Sequence, residues 1–134
     1  MGIAGRTVLL DVFRLLGLQK EDAIAIPAFY PHGLAIPIKR FGLVPYTYAC
    51  DNLFSPVFVD IDKIYSKHKL KAIIAIHFFG IKMDLSKLDE YCQKNGICLI
   101  EDCAQALDLY TDCDYCYIFL YQIFICSRWC HGSI

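Results

Sequence analysis

The side chains able to do chemistry fall in short clusters, most of them directly after apolar stretches. Glu101-Asp102-Cys103-Ala104-Gln105 follows the apolar run 97–100 and offers two carboxylates, a thiol and an amide. His77-Phe78-Phe79-Gly80 follows Ala-Ile-Ile-Ala-Ile, Pro27-Ala28-Phe29-Tyr30-Pro31-His32 follows residues 23–26, and Cys50-Asp51-Asn52 follows a run ending at Ala49. Near the start, Gly5-Arg6-Thr7 opens a helical pattern. A glycine and a hydroxyl residue at a helix N-terminus suit an anion, because free backbone N–H groups point outward there. Each cluster also has an ordinary structural reading. Asp102 would serve as a helix cap, Gln105 as a solvent-facing amide, Thr7 as an N-cap and His77 as a core histidine.

Eight cysteines form a second constellation. Cys113, Cys116, Cys126 and Cys130 give C-x2-C-x9-C-x3-C with His131 adjacent, a spacing that zinc can use. Their intervening residues are apolar rather than knuckle-like, so a core reading competes with a metal one. With no export signal in Met1-Gly2-Ile3-Ala4-Gly5-Arg6, reduced thiols and a cytoplasmic chain are the expectation.

The elements that must position these groups alternate along the chain. Apolar residues at helical spacing predict a helix over 6–16, stopped by Gly17. A strand is expected over 23–26, a helix over His32–Phe41 with Pro37 inside it, and a strand over 44–49. Asp60 or Asp62 should cap a short helix reaching Tyr65. Residues 71–78 and 97–100 are near-continuous apolar runs, as strands buried on both faces require. Between them, 84–94 is an amphipathic helix closed by Asn95-Gly96. Strand–helix–strand repetition with apolar strands means an α/β fold around a mostly parallel sheet. In such sheets ligands meet the carboxyl ends of the strands, where the polar clusters fall.

Composition excludes several classes. At 134 residues the chain fits one domain or part of one. Its net charge of −1 and pI near 6.4 provide no basic excess for nucleic acid or an anionic membrane. A hydrophobic content of 57% excludes disorder and suggests a chain built for deeper burial than its length allows. The apolar run 115–126, interrupted by Gln122, is shorter than the ~20 residues a bilayer span requires.

Ile100-Glu101-Asp102-Cys103-Ala104-Gln105-Ala106 resembles the E-D-x-A-Q motif of the DegT/DnrJ/EryC1/StrS aminotransferases. Other pieces occur in that family's order. Gly5-Arg6-Thr7 is similar to its phosphate turn, with Ala4 in place of the usual serine; Ile26-Pro27-Ala28-Phe29 and Ala75-Ile76-His77-Phe78-Phe79-Gly80 match two further stretches. The resemblance covers roughly residues 4–107. It implies a partial large domain of PLP-dependent transferase fold type I, over residues 1–110. Pyridoxal phosphate is the implied cofactor, a nucleotide-linked keto sugar and an amino-acid donor the implied substrates, and a homodimer the implied assembly. Asp102 would hold the pyridine nitrogen, Gln105 the phenolic oxygen, and Gly5, Arg6 and Thr7 the phosphate. Tyr30 or His32 would stack on the ring.

The same comparison exposes departures. The family carries a Schiff-base lysine after the aspartate, within F-S-x-x-x-K or a shorter variant. Here no lysine follows Lys94, and Gln122 in Tyr117-Ile118-Phe119-Leu120-Tyr121-Gln122 stands where lysine is expected. An amide does not condense with an aldehyde. Residues 111–134 therefore read as a divergent tail, similar to translation through a shifted frame, on a truncated and inactive aminotransferase-like chain. Two other classes remain: a non-catalytic homologue pairing with an intact subunit, and a small zinc-binding protein.

Overall fold

The computed structural model describes residues 3–30, 32–81 and 83–102. Four strands, β1 (Ala23–Pro27), β2 (Val44–Tyr48), β3 (Ala72–Ile76) and β4 (Cys98–Asp102), form one sheet in the order β2-β1-β3-β4, with every pairing parallel. The helices are α1 (Ile3–Leu15), α2 (His32–Phe41), α3 (Phe58–His68) and α4 (Ser86–Asn95). The expected α/β class and parallel sheet are both present.

Burial explains the strand sequences. β1 and β3 are buried at all five positions, so both faces of each must be apolar, as AIAIP and AIIAI are. β2 lies at the sheet edge and is largely exposed, which accommodates Pro45 and its missing N–H. β4 pairs Ala72 with Cys98 through Ile76 with Asp102. The ladder thus continues past the apolar run, and Asp102 is the last strand residue rather than the first loop residue. Among the described residues β4 lies at one end of the sheet, beside β3.

Two cores sandwich the sheet. Leu9, Val12 and Phe13 of α1 and Leu34 and Ile38 of α2 pack on Ile24, Ile26, Ile74, Ile76 and Ile100. On the opposite face, Ile61 of α3 and Leu88 and Cys92 of α4 pack on Ala25, Ile73, Ala75 and Leu99. α2 carries the chain from β1 to one side, while α3 and α4 carry it to the other side over the opposite face. Reversing direction and face together keeps all three crossovers of one hand.

Helix ends depart from expectation where side chains have other partners. α3 starts at Phe58 with no side-chain cap. Asp60 instead accepts the Ala49 N–H at 2.9 Å, and Asp62 accepts the Tyr91 hydroxyl at 3.0 Å. These carboxylates tie α3 to the end of β2 and to α4. α4 begins two residues late, because Asp84 binds the backbone and hydroxyl of Ser86 in a local turn. Gly96 ends it as expected, at φ +67°, with its N–H returning to Cys92. Cys50 and Cys92 carry free thiols. Cys98 is disulfide-bonded, so the expectation of reduced thiols throughout does not hold.

The α3/α4 core contains two buried acids that stay protonated. The Tyr48 hydroxyl donates to the Ile74 carbonyl at 2.6 Å, and burial holds its pKa well above 10.0. Burial, helped by the charge of Asp89, pushes the Cys92 thiol from 9.0 to about 12. The unfolded chain releases both protons at lower pH than the folded chain does. The unfolded state therefore binds fewer protons above about pH 9, and stability falls as pH rises, by about 1.4 kcal/mol per unit for each group in its window. Urea midpoints should drop between about pH 9 and pH 11, and an unchanged midpoint would contradict this burial.

Candidate active site

Adjacent strands β1 and β3 send their following segments to opposite faces, toward α2 and α4. A crevice outside their carboxyl ends follows from that switch in direction. Pro27, Ile76, Phe78 and Tyr48 line it, together with Cys50, Phe54 and Met83. Four phenylalanines gather above: Phe54 lies 5.3 Å from both Phe78 and Phe79, and Phe29 lies 5.6 Å from Phe78. Phe29 and Phe79 remain 62% and 63% exposed, which leaves an apolar, aromatic rim on the crevice. Phe54 and Phe79 hold left-handed backbones, at φ +61° and +54°. Bulky side chains rarely adopt that conformation, and it stores strain at the rim.

Side-chain alternation divides the polar groups between the faces. Ile74, Ile76 and Ile100 enter the α1/α2 core, whereas Ile73, Ala75 and Leu99 enter the α3/α4 core. Asp102, in step with Ile100, belongs to the α1/α2 face, and it is only 5% exposed. α1 runs down that face to Gly17 and Leu18, just before β1 starts. Its first turn therefore lies toward the carboxyl edge, on the face Asp102 shares. A buried carboxylate and a helix N-terminus there suit a protonated ring nitrogen at one point and an anion at another.

The helix starts at Ile3, earlier than expected. Gly5 falls among the first-turn N–H groups with no partner inside the helix, while Arg6 and Thr7 enter the backbone ladder. Tyr30 follows β1 at the carboxyl edge, 37% exposed, and His32 begins α2. Gln105, Cys103 and the cysteines Cys113, Cys116, Cys126 and Cys130 lie outside the described residues.

His77 and Glu101 lie on the opposite face from Asp102. The His77 ring is 2% exposed, with Nε2 3.0 Å from Glu101 Oε2. Its Nδ1 accepts the Met83 N–H at 3.0 Å, so Nε2 carries the proton directed at Glu101. The histidine is structural, as its strand-end position suggests. The aromatic rim and the partnership with Glu101 escape sequence reasoning, since both join residues more than twenty positions apart. Only the alternation that places residues 77 and 101 on one face hints at the pair. Among the described residues no group of three or more His, Cys, Asp or Glu side chains gathers as for a metal ion. No described helix is long and apolar enough to cross a membrane.

Known proteins share this sequence and architecture. Residues 4–113 match the family model of the DegT/DnrJ/EryC1/StrS aminotransferases. A GDP-perosamine synthase of Vibrio cholerae is 30% identical over 106 residues, which are 78% of this chain and 29% of that protein. A UDP-N-acetyl-3-dehydro-alpha-D-glucosamine 3-aminotransferase of Acidithiobacillus ferrooxidans is 28% identical over 104 residues, 78% of this chain and 28% of its own length. The chain thus spans less than a third of the curated relatives it matches. Among solved structures, NtdA of Bacillus subtilis, with bound PMP cofactor, superposes with a TM-score of 0.72 at 20% identity, over 79% of this chain and 24% of that one. DesV of S. venezuelae, in complex with a ketimine intermediate, superposes at 0.69 and 21%, over 76% and 28%. The architecture is that of PLP-dependent transferases of fold type I, and the chain belongs to the DegT/DnrJ/EryC1/StrS aminotransferase family.

Proposed function

We propose that residues 1–110 form the N-terminal part of the large domain of a pyridoxal-phosphate aminotransferase acting on nucleotide-linked keto sugars with an amino-acid donor. We infer, further, that the 134-residue chain does not transaminate alone. The names of the relatives, a GDP-perosamine synthase and a UDP-sugar 3-aminotransferase, support the substrate class. In this reading the working protein is a cytoplasmic homodimer.

The observation that carries the reading is the buried carboxylate of Asp102 at the end of β4, on the face of α1. These residues fit the cofactor: Asp102 would keep the ring nitrogen protonated, and the α1 N-terminus at Gly5, Arg6 and Thr7 would receive the phosphate. By the family resemblance Gln105 would take the phenolic oxygen, and Tyr30 would cover the ring face. The chemistry supplied by the bound cofactor is withdrawal of electron density from the substrate α-carbon.

Equilibrium dialysis of pyridoxal phosphate against the chain and its Asp102→Asn variant tests this. The chain should bind, and the variant should bind roughly tenfold or more weakly, as loss of a charge-assisted hydrogen bond implies. Equal binding by both, or no binding by the unmodified chain, would overturn the reading.

A further inference from the structure

Cys98 opens β4 at the amino edge of the sheet, partly buried against the α1/α2 core. Its backbone N–H donates to the Lys71 carbonyl at 2.9 Å. Its sulfur is in a disulfide, whereas Cys50 and Cys92 are free thiols. Of the eight cysteines, the partner within this chain is therefore Cys103, Cys113, Cys116, Cys126 or Cys130. Strand geometry removes the first of these. Cys98 and Asp102 are the two ends of β4. At about 3.3 Å per residue, their Cα atoms stand roughly 13 Å apart. The next Cα lies about 3.8 Å from that of Asp102 wherever the chain turns, so it comes no nearer to Cys98 than roughly 9 Å. A disulfide needs its Cα atoms within about 7 Å. The partner thus belongs to the C-x2-C-x9-C-x3-C constellation.

From this elimination we propose that Cys98 and one of Cys113, Cys116, Cys126 and Cys130 form a redox-responsive staple, which returns the chain beyond Asp102 to the amino end of β4. In a reducing compartment such bonds are transient and serve as sensors more often than as framework. The step is thiol–disulfide exchange with a low-molecular-weight disulfide such as glutathione disulfide, through a mixed disulfide. Two protein thiols are oxidised to one disulfide. The glutathione disulfide is reduced to two thiols, which take the two protons. Reduction by glutathione runs the same step backwards. A four-cysteine zinc site needs the thiol that the staple consumes, so the two exclude one another. Whichever partner Cys98 takes, the closed loop contains Asp102 and Gln105. Closing it orders the segment that carries these groups and lowers the cost of binding there. That consequence rests on their proposed roles toward the cofactor, whereas the staple itself does not.

The full chain is equilibrated in oxidising and in reducing glutathione buffers, its free thiols are blocked with iodoacetamide, and its peptides are mapped by mass spectrometry without reduction. In the oxidised chain the Cys98 peptide should be joined to one bearing Cys113, Cys116, Cys126 or Cys130. In the reduced chain both should be alkylated. Mixing isotopically heavy and light chains before oxidation separates a bond within one chain from a bond between copies. An alkylated Cys98 in the oxidising buffer, a bond from Cys98 to Cys50 or Cys92, or a heavy–light link would overturn the staple. Pyridoxal phosphate is then dialysed against both forms. The oxidised form should bind it several-fold more tightly than the reduced form, and Cys98→Ala should bind it alike in both buffers. Equal or weaker binding by the oxidised form would overturn control of the site by the staple. No binding by either form would instead overturn the cofactor roles of Asp102 and Gln105, with the staple decided by the peptide map.

Discussion

Supplied with pyridoxal phosphate, glutamate and a nucleotide-linked keto sugar, the purified 134-residue chain should form no amino sugar above background. Transamination asks three things of the protein: a lysine that holds the cofactor and shuttles a proton, a carboxylate at the ring nitrogen, and a phosphate anchor. In the proposed reading, Asp102 and the first turn of α1 would offer the second and third. No lysine follows Lys94, and Lys94 itself is exposed on α4, whose packing is with the face opposite Asp102. Loss of a general base alone costs about 10²–10⁴ in rate, and a chain of these 134 residues offers no covalent anchor after Lys94 either. Chromatographic assay of product and mass spectrometry after borohydride reduction check the expectation. Turnover together with reductive labelling of one lysine would show that a lysine of this chain reaches the site.

The second large effect falls on stability. Phe13 of α1 is fully buried and meets Phe41 of α2 edge-on, with ring centroids 5.4 Å apart. It is one of the fully buried side chains of the α1/α2 core that packs on this face of the sheet. Phe13→Ala removes the ring and leaves a cavity that two helices and a sheet cannot close together, at a cost of about 3–5 kcal/mol. Domains of this size are stable by only about 5–15 kcal/mol, so the variant should be largely unfolded at modest urea where the unmodified chain is folded. Circular dichroism against urea reads the difference. A midpoint within a tenth of the original would show that α1 does not carry that core.

How much of this was legible beforehand depended on whether the signal was local. β1 and β3 are buried on both faces, so five consecutive apolar residues announced each of them. Gly96 announced the end of α4, because the left-handed cap is a property of one residue. The start of α3 was misplaced, since Asp60 and Asp62 looked like caps but bind Ala49 and Tyr91. β4 was ended two residues early, at Ile100, because Glu101 and Asp102 are polar. Their strand character comes from pairing with Ala75 and Ile76, which no local pattern reveals. Asp102 was singled out through its motif, whereas the aromatic rim was not. Phe29, Phe54, Phe78 and Phe79 come from three segments, and only the strand order brings them together.

The strand order also sets the sequence of events as the chain is made. β1 leaves the ribosome early, but one of its two neighbours, β3, lies about fifty residues further on, since Ile24 pairs with Ala72. At a synthesis rate of about 5–20 residues per second, that neighbour follows several seconds later. During this interval the Ala-Ile-Ala-Ile segment has only the proline-bearing edge strand β2 beside it, and its other flank is open. A nascent chain of this topology is therefore a natural client for chaperones that hold short apolar segments, and it needs them most before Ala72 is made.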